Sequence, residues 1–396
     1  MKNRTTYLLV LAIMIIGAGC KKPYDPPAIA SSGSYLVVEG AINAGADSTI
    51  ITLSRTVNLS SAVTANPVLN AVVSVQSDQN AVYPLTETTN GNYVAAGLNL
   101  DNARTYRLSI KTNNEQYYSD YVPVLNAPPI DSLYYGITNT GLNIYSSAHD
   151  PSNAVKYYRW DFQETWIIHS NFDSGVISNG DTVLARTADQ QIYTCWSSDV
   201  SSNIILGSSA KLARDVIDNN LVTSIASSSE KIGSEYSILV RQYALTADAY
   251  TFWTNLKKNT EQLGSIFDAQ PSEINGNMHS VTNPLEPVIG YISVGGTASK
   301  RIFIASQQLP NWLPTNPYPN CKLDTALYVY YPAGSKVSYN QVDELINYNK
   351  GASVNPLIPV APIGRPGSPP IGYSASDRVC VDCTLRGTKQ EPSFWK

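Results

Sequence analysis

The chain has 396 residues, of which 43% are hydrophobic and 15% are charged, so it can bury more than one core and lacks the composition of a disordered protein. Its formal net charge is -4, and no basic block occurs, so a nucleic-acid partner is not expected. Tyrosine dominates the aromatic residues, with 26 Tyr against 6 Phe, which is typical of a β-rich exported protein.

The N-terminus has the layout of a secretory signal peptide. Lys2 and Arg4 give it a positive start, residues 7–16 are almost entirely apolar, and three small residues precede Cys20. The apolar stretch is shorter than the roughly 20 residues of a transmembrane helix. The segment resembles a bacterial lipoprotein signal, in which the boundary cysteine is lipidated. We therefore predict a signal over 1–19 and a lipid on Cys20; the alternative is an ordinary cleaved signal with an accidental cysteine.

Residues 20–33 are rich in Pro, Ser and charge, and we predict that they form a tether behind the lipidated cysteine. Short runs rich in Val, Ile, Thr and Tyr follow, and they predict a β-sandwich domain over 34–125. The predicted strands are 34–40, 48–56, 70–78, 91–96, 105–112 and 116–124. The pattern resembles the immunoglobulin-like or transthyretin-like modules of bacterial surface proteins, a fold that says little about function. Prolines in 126–133 predict a linker.

Residues 134–396 are predicted to form a larger β-rich α+β domain. Along 156–168 the aromatic side chains fall on one face and Arg159, Asp161, Gln163 and Thr165 on the other, which indicates a strand with one polar face. Further strands are predicted at 234–245, 287–294, 300–306 and 325–331. The chain is thus mainly β, with two or three helices.

Helix signals are few but clear. Thr246 is a suitable N-cap for a helix that ends at Gly264, with Ala249, Trp253, Leu256 and Leu263 on one stripe. Ser338 and Gln341 form a possible capping box for a second helix that ends at Gly351, and 210–220 is a weaker third helix. The prolines of 351–372 predict an extended segment before the C-terminal tail.

Four cysteines remain after Cys20, namely Cys195, Cys321, Cys380 and Cys383. An even number in an exported chain indicates disulfides, and four cysteines allow three pairings between which the sequence does not choose. Cys380 and Cys383 form a C-x-x-C, but a redox motif would open a helix in a βαβ unit, which this tail lacks. Zinc would need further ligands at suitable spacing. We predict structural disulfides, no metal and no cofactor.

Three segments together resemble a known family: "YALTADAYTFWTNLKKNTEQLGSIFDAQPSEINGNMH", "PVIGYISV" and "CVDCTLRGTKQEPSFW". They are similar to the exported Bacteroidota lipoproteins catalogued as domain of unknown function 4249. The resemblance covers most of the mature chain. It implies a lipoprotein of the outer membrane, on the periplasmic leaflet or at the cell surface, often encoded beside TonB-dependent outer-membrane receptors. It carries over no catalytic residue.

Motifs for catalysis are not found in the sequence. There is no G-x-S-x-G, H-E-x-x-H or Walker-type glycine loop. A serine mechanism would have to use His149, His169 or His279, and the "AHDPSN" around His149 favours a surface turn. Glu164 lies on the aromatic face of its predicted strand and is the carboxylate to inspect, although a structural role at a strand rim is the favoured interpretation.

The predicted loop 265–279 is polar and follows a well-marked helix, which is a common position for binding residues. Its polar side chains could bind a sugar or a cation; they are Asp268, Gln270, Glu273, Asn275 and Asn277. Alternatively, they satisfy backbone groups in an irregular turn, and we favour this structural interpretation.

The sequence therefore predicts a non-enzymatic, lipid-anchored protein of the outer membrane or cell surface. We expect an accessory to a TonB-dependent transporter that captures a ligand or contacts the receptor. One alternative is a structural or assembly factor of the cell envelope; another is a surface hydrolase of glycans or peptides. A deep aromatic cleft would favour ligand capture, and a flat apolar patch would favour assembly.

Overall fold

The structure is a computed structural model that describes residues 34–57, 66–261, 274, 276–350 and 355–395. Its first strands are β1 (Leu36–Asn43), β2 (Thr49–Arg55), β3 (Val72–Ser77), β4 (Val82–Glu87), β5 (Asn92–Ala95), β6 (Thr105–Lys111), β7 (Gln116–Ser119) and β8 (Val122–Pro123). The next are β9 (Ile130–Thr138), β10 (Gly141–His149), β11 (Tyr157–His169), β12 (Val176–Ser178), β13 (Val183–Ala185), β14 (Thr194–Val200), β15 (Ile205–Ser208), β16 (Val216–Ala226) and β17 (Glu235–Leu245). The last are β18 (Met278–Ser280), β19 (Val294–Gly295), β20 (Ala298–Ala305), β21 (Asp324–Leu327), β22 (Ile358–Ile363) and β23 (Gly372–Ser376).

Helices are few in the described residues: α1 (Ala247–Glu261), α2 (Gln341–Leu345) and α3 (Arg378–Val381). The prediction of a mainly β chain with two or three helices is thereby confirmed. The Oγ1 of Thr246 accepts a hydrogen bond from the Ala249 N–H at 3.2 Å, as expected of an N-cap at α1. No helix of the described residues is long and apolar enough to cross a membrane.

The first sheet curls around its own core. Its strand order is β18-β7-β6-β3-β4-β5-β2-β1-β19, with β8 beside β6. Gly40, within β1, has a φ of +131°, and a Cβ there would lie 2.3 Å from the Ile50 carbonyl oxygen, so only glycine fits this position. The core side chains alternate along the strands and are almost fully buried, for example Leu36, Ile51, Leu53, Val75, Leu108 and Ile110. The finer prediction of an immunoglobulin-like or transthyretin-like sandwich stays a prediction.

Residues 278–295 return to this first sheet from the second half of the chain, and we call them the return segment. In it, β18 pairs antiparallel with β7, and β19 pairs parallel with β1. Met278, Val288, Ile292 and Val294 are buried in the first core. The strand predicted at 287–294 is mostly irregular, because only its last residue lies in β19. Isolated parallel bridges join Ile289 to Val37 and Val294 to Val124.

Two further sheets enclose the second core. Their orders are β16-β10-β9 and β14-β11-β17-β20, with β15 beside β11. The predicted alternation is confirmed in the first part of β11, since Tyr158, Trp160 and Phe162 are buried in this core while Arg159 and Asp161 are only partly buried. It ends at Thr165, which was predicted on the polar face but is fully buried. β9 begins at Ile130, within the residues predicted as a linker.

The helix predicted at 210–220 is wrong. Residues 216–226 form β16, which pairs antiparallel with β10 along almost its whole length. Asp215, at the start of β16, is buried and accepts hydrogen bonds from Tyr158 and Ser209. These contacts with distant residues outweigh the weak local helix preference, because propensity is easily overridden by tertiary pairing.

The C-terminal part adds two small sheets, β12-β13 and β21-β23-β22. Helix α2 begins after Asn340, whose side chain accepts from the Asp343 N–H at 3.3 Å, and it ends at Leu345. The predicted capping box at Ser338 is wrong, because Tyr339 still pairs with Tyr330 and the helix begins only after Asn340. The predicted end at Gly351 is also wrong, since the helix stops at Leu345. Strand β22 holds prolines but lies at a sheet edge, where a missing N–H is tolerated.

Disulfides join Cys195 to Cys383 and Cys321 to Cys380. The prediction of disulfides is confirmed, and Cys380 and Cys383, the two ends of the C-x-x-C, bond to different partners. All four side chains lie in two small apolar clusters beneath the C-terminal tail. The tail is thus fixed at two neighbouring points on the second half of the protein.

Candidate functional site

A cleft of about 570 Å³ lies between the first sheet and the second. One wall is the end of β1 and the turn after it, with Glu39 and Asp47 exposed. The other wall is the polar face of β11 and β17, and α1 closes one end. We call this space the interdomain cleft. Its position between two packed bodies is typical of ligand sites.

Strand register determines which side chains form the second wall. β11 and β17 are antiparallel, and Arg159 lies opposite Tyr243 while Asp161 lies opposite Arg241. Side chains two residues apart share one face of a strand, so these four side chains form a square on the face away from the core. The residues between them, such as Trp160 and Gln242, are fully buried on the other face.

Asp161 is held from two sides. Its Oδ1 accepts from the Arg241 Nε at 2.6 Å, and its Oδ2 accepts from the Tyr243 hydroxyl at 2.9 Å. Burial and the nearby Asp161 charge raise the pKa of Tyr243 to about 12. Burial lowers the pKa of Arg241, but attraction to Asp161 outweighs it and the net shift is upward. Tyr243 therefore remains a neutral donor, and Arg241 remains a cation.

Arg159 contacts two aromatic rings. Its guanidinium carbon is 4.3 Å from the centre of the Tyr243 ring and 4.6 Å from that of Trp253, which α1 supplies. The nearest carboxylate oxygen, Oδ2 of Asp161, is 3.9 Å from its Nη2, too far for a hydrogen bond. Among the described residues, none accepts a hydrogen bond from this guanidinium. Its N–H groups are therefore available to an incoming group in the cleft.

The cleft wall thus combines a planar cation, aromatic surface and fixed polar groups. Guanidinium edges bind carboxylates and phosphates in a planar, often bidentate geometry. Trp253 is partly exposed and offers aromatic surface to a sugar ring or an apolar chain. Arg159 and Arg241 outnumber Asp161 on this wall, while Glu39 and Asp47 line the other. The arrangement is chemically suited to holding a polar organic ligand.

The residues predicted in the loop 265–279 do not line this cleft where they can be placed. Asp268, Gln270, Glu273 and Asn275 lie outside the described residues, as does Cys20. Asn277 is described and buried.

The amide of Asn277 is fully used by the backbone. Its Oδ1 accepts from the Ile292 N–H at 2.8 Å, and its Nδ2 donates to the Ile292 carbonyl at 2.9 Å. Asn277 also accepts, through its own carbonyl, from the Asp120 N–H. It therefore holds the return segment together and points no free group outward.

Glu164 is part of a buried ion pair away from the interdomain cleft. It binds the Lys231 ammonium and accepts from the Tyr236 hydroxyl at 2.8 Å. The Lys231 nitrogen also lies 4.8 Å from the centre of the Trp166 ring, which covers the pair. The favoured sequence interpretation, a structural role, fits this geometry.

The three histidines have different partners in the structure. His149 pairs with Asp131 at 2.7 Å, and this hydrogen bond raises the pKa of the exposed imidazole. His279 pairs with Asp120 at 2.9 Å, and His169 stacks on a tyrosine ring. No group of three or more His, Cys, Asp or Glu side chains in the described residues could hold a metal ion.

An exposed apolar hairpin lies at the C-terminal end. Residues 328–339 form this tyrosine hairpin, in which Tyr330 and Tyr339 pair as an isolated bridge. Its outward side chains include Val329, Tyr331 and Val337, each more than half exposed. The sequence predicted a strand at 325–331, but β21 ends at Leu327 and the remainder belongs to this hairpin.

The sequence reasoning did not identify the cleft residues as a site. Arg159 and Asp161 were assigned only to a polar strand face, and Trp253 only to a buried helix stripe. The charge pattern was an available signal for the site. R-x-D at 159–161 and R-x-Y at 241–243 offer a carboxylate to an arginine and a hydroxyl if the two strands pair. Their pairing register and the position of α1 depend on contacts distant in sequence.

Comparisons with known proteins give a family and matches among solved structures. No curated protein matches the chain. A structure of the Yersinia pseudotuberculosis adhesin InvE matches with 10% identity, covering 87% of this chain and 96% of that chain. Its TM-score is 0.14, too low to indicate a shared fold. The model of the family described as Domain of unknown function (DUF4249) matches residues 21–301, a range that includes both walls of the cleft. The chain therefore belongs to the DUF4249 family.

Proposed function

We propose that this protein is a non-enzymatic, lipid-anchored capture protein of the outer membrane that serves a TonB-dependent transporter. The observation that carries the proposal is the interdomain cleft, where Arg159 contacts the rings of Tyr243 and Trp253. Small-molecule sites are concave, partly aromatic and equipped with a few fixed polar groups. A capture protein needs such a site and no reacting group within it.

The proposed location rests on the N-terminus. The charged, apolar and small-residue regions lead directly to Cys20, the residue that a lipoprotein pathway would acylate. More than one acyl chain anchors a protein stably to a bilayer. The resemblance to exported Bacteroidota lipoproteins supports the outer membrane, and their frequent encoding beside TonB-dependent receptors supports the transporter as partner.

The test is a mild crosslink in the native organism, followed by mass spectrometry of the proteins captured with this one. The expected result is that a TonB-dependent receptor dominates the captured proteins. The control is a Cys20→Ala variant, which cannot be lipidated and is expected to lose both membrane retention and the receptor. Capture of no receptor by the unaltered protein would refute the transport role.

The tyrosine hairpin favours a second candidate, an assembly factor of the cell envelope. Exposed apolar patches of this kind commonly mark protein–protein contacts. The same crosslink separates the two candidates, because an assembly factor would capture envelope-assembly machinery instead of a receptor.

A further inference from the structure

We propose that the interdomain cleft binds the carboxylate of an organic monoacid, with Arg159 as its anchor. This inference rests on the proposed capture function and specifies the ligand class. The carboxylate could belong to an acidic sugar or to the free C-terminus of a peptide, since both present the same planar anion.

Two aromatic rings restrain Arg159. Its guanidinium carbon lies 4.3 Å from the centre of the Tyr243 ring and 4.6 Å from that of the Trp253 ring, and these contacts limit the movement of the side chain. A restrained guanidinium loses less freedom when it binds, and its edge presents paired N–H donors that match the two oxygens of a carboxylate. The rings thus favour Arg159 as the anchor of a planar anion.

Asp161, the carboxylate nearest to Arg159, does not accept a hydrogen bond from its guanidinium. Both oxygens of Asp161 already accept hydrogen bonds, one from Arg241 and one from Tyr243. Its separation of 3.9 Å from Arg159 is an ion-pair distance only. Asp161 therefore balances Arg241, and the charge of Arg159 remains for a ligand to balance.

The opposite wall limits the charge of that ligand. Glu39 and Asp47 line the same cleft and are exposed to solvent. They would repel a polyanion. A ligand whose single carboxylate lies at Arg159 presents no further negative charge to them. Thr297 and Ser299 also line the cleft and offer hydroxyl groups to a polar ligand body. The geometry thus favours a monoacid over a phosphate-rich molecule.

The experiment is calorimetric titration of the mature lipidated protein in detergent with paired probes. One pair is a galacturonic acid monosaccharide against galactose, and the other is a tripeptide mixture with free C-termini against the same peptides as amides. The expected result is binding of at least one acid and at least about tenfold weaker binding of its neutral counterpart. Whichever acid binds identifies the source of the carboxylate.

Variants then test the anchor. Arg159→Gln is expected to weaken binding of the acid by about tenfold or more, and Arg159→Lys to restore it only in part, because lysine keeps the charge but not the planar fork. The matched control is Arg107→Gln. The Arg107 guanidinium also covers two tyrosine rings, at 3.9 Å and 4.8 Å, but it lies outside the cleft. Binding by this variant is expected to be unchanged.

The inference is overturned if neither acid binds, if the neutral counterparts bind equally well, or if Arg159→Gln binds like the unaltered protein. Thermal melting of each variant confirms that the binding comparison is made on folded protein. The receptor crosslink is scored separately. A captured receptor without acid binding refutes this inference alone, and acid binding without a captured receptor refutes only the transport role.

Discussion

The two disulfides should contribute unequally to stability. The Cys195–Cys383 bond closes a separation of 188 residues, and the Cys321–Cys380 bond closes 59 residues inside it. Loop-closure entropy in the unfolded chain gives about 5 kcal/mol for the longer separation and about 4 kcal/mol for the shorter. The two loops are nested, but this does not change the difference between them. Removing the Cys195–Cys383 bond should lower the free energy of unfolding by about 1 kcal/mol more than removing the Cys321–Cys380 bond.

The assay is guanidinium unfolding of the mature protein and of two double variants, Cys195→Ala with Cys383→Ala and Cys321→Ala with Cys380→Ala. The same three proteins are then unfolded with excess reductant, where the variants report only the packing lost at the alanines. For each variant, the loss in free energy of unfolding under reducing conditions is subtracted from the loss under oxidising conditions. The remainder is the contribution of that disulfide. Equal costs, or a larger cost for the shorter loop, would refute the reasoning. A peptide map joining Cys380 to Cys383 would refute the pairing itself.

The other predictions concern single side chains. Lys231→Met is expected to lower the free energy of unfolding by about 3 kcal/mol, because it leaves Glu164 buried without a cation. The control Asp199→Asn removes the exposed carboxylate near Lys231 and should lower it by less than about 1 kcal/mol. Equal losses would contradict the importance of the buried pair. The pKa of Tyr243 in the folded protein is raised from 10.0 to about 12, so its contribution to stability is complete below pH 10 and is lost as the pH rises to 12. A Tyr243→Phe variant should lack this part of the alkaline loss when the free energy of unfolding is measured against pH. Identical curves for the variant and the unaltered protein would contradict the prediction. Asn277→Ala is expected to cost about 2 kcal/mol in thermal unfolding, since two buried backbone groups lose their partners, and a cost near zero would contradict that role.

Local patterns predicted the parts of the fold that depend on neighbouring residues. The alternation along β11 and the cap at Thr246 were readable because a strand face and a helix start are encoded within a few positions. The helix predicted at 210–220 failed because the local preference there was weak and the pairing with β10 was strong. β4 was missed because Pro84 interrupts its pattern of strand-forming residues.

The cleft depended on three separate parts of the chain. The sequence placed Arg159 and Asp161 on one strand face, but it did not show that β17 would bring Arg241 opposite Asp161. Nor did it show that α1 would lay Trp253 over Arg159. Strand register and helix docking are set by packing between distant segments, which periodicity within one segment does not report. The family resemblance, by contrast, was carried by contiguous motifs and was confirmed.

The return segment constrains the order in which this protein can fold. The first core lacks Met278, Val288, Ile292 and Val294 until the chain has been synthesised to that point, so the N-terminal sheet cannot close as it emerges. Cys195 must wait even longer for Cys383. Contacts of such long sequence separation form slowly, and unpaired strand edges are prone to aggregation. We expect the emerging N-terminal half to need a chaperone until most of the chain has been synthesised.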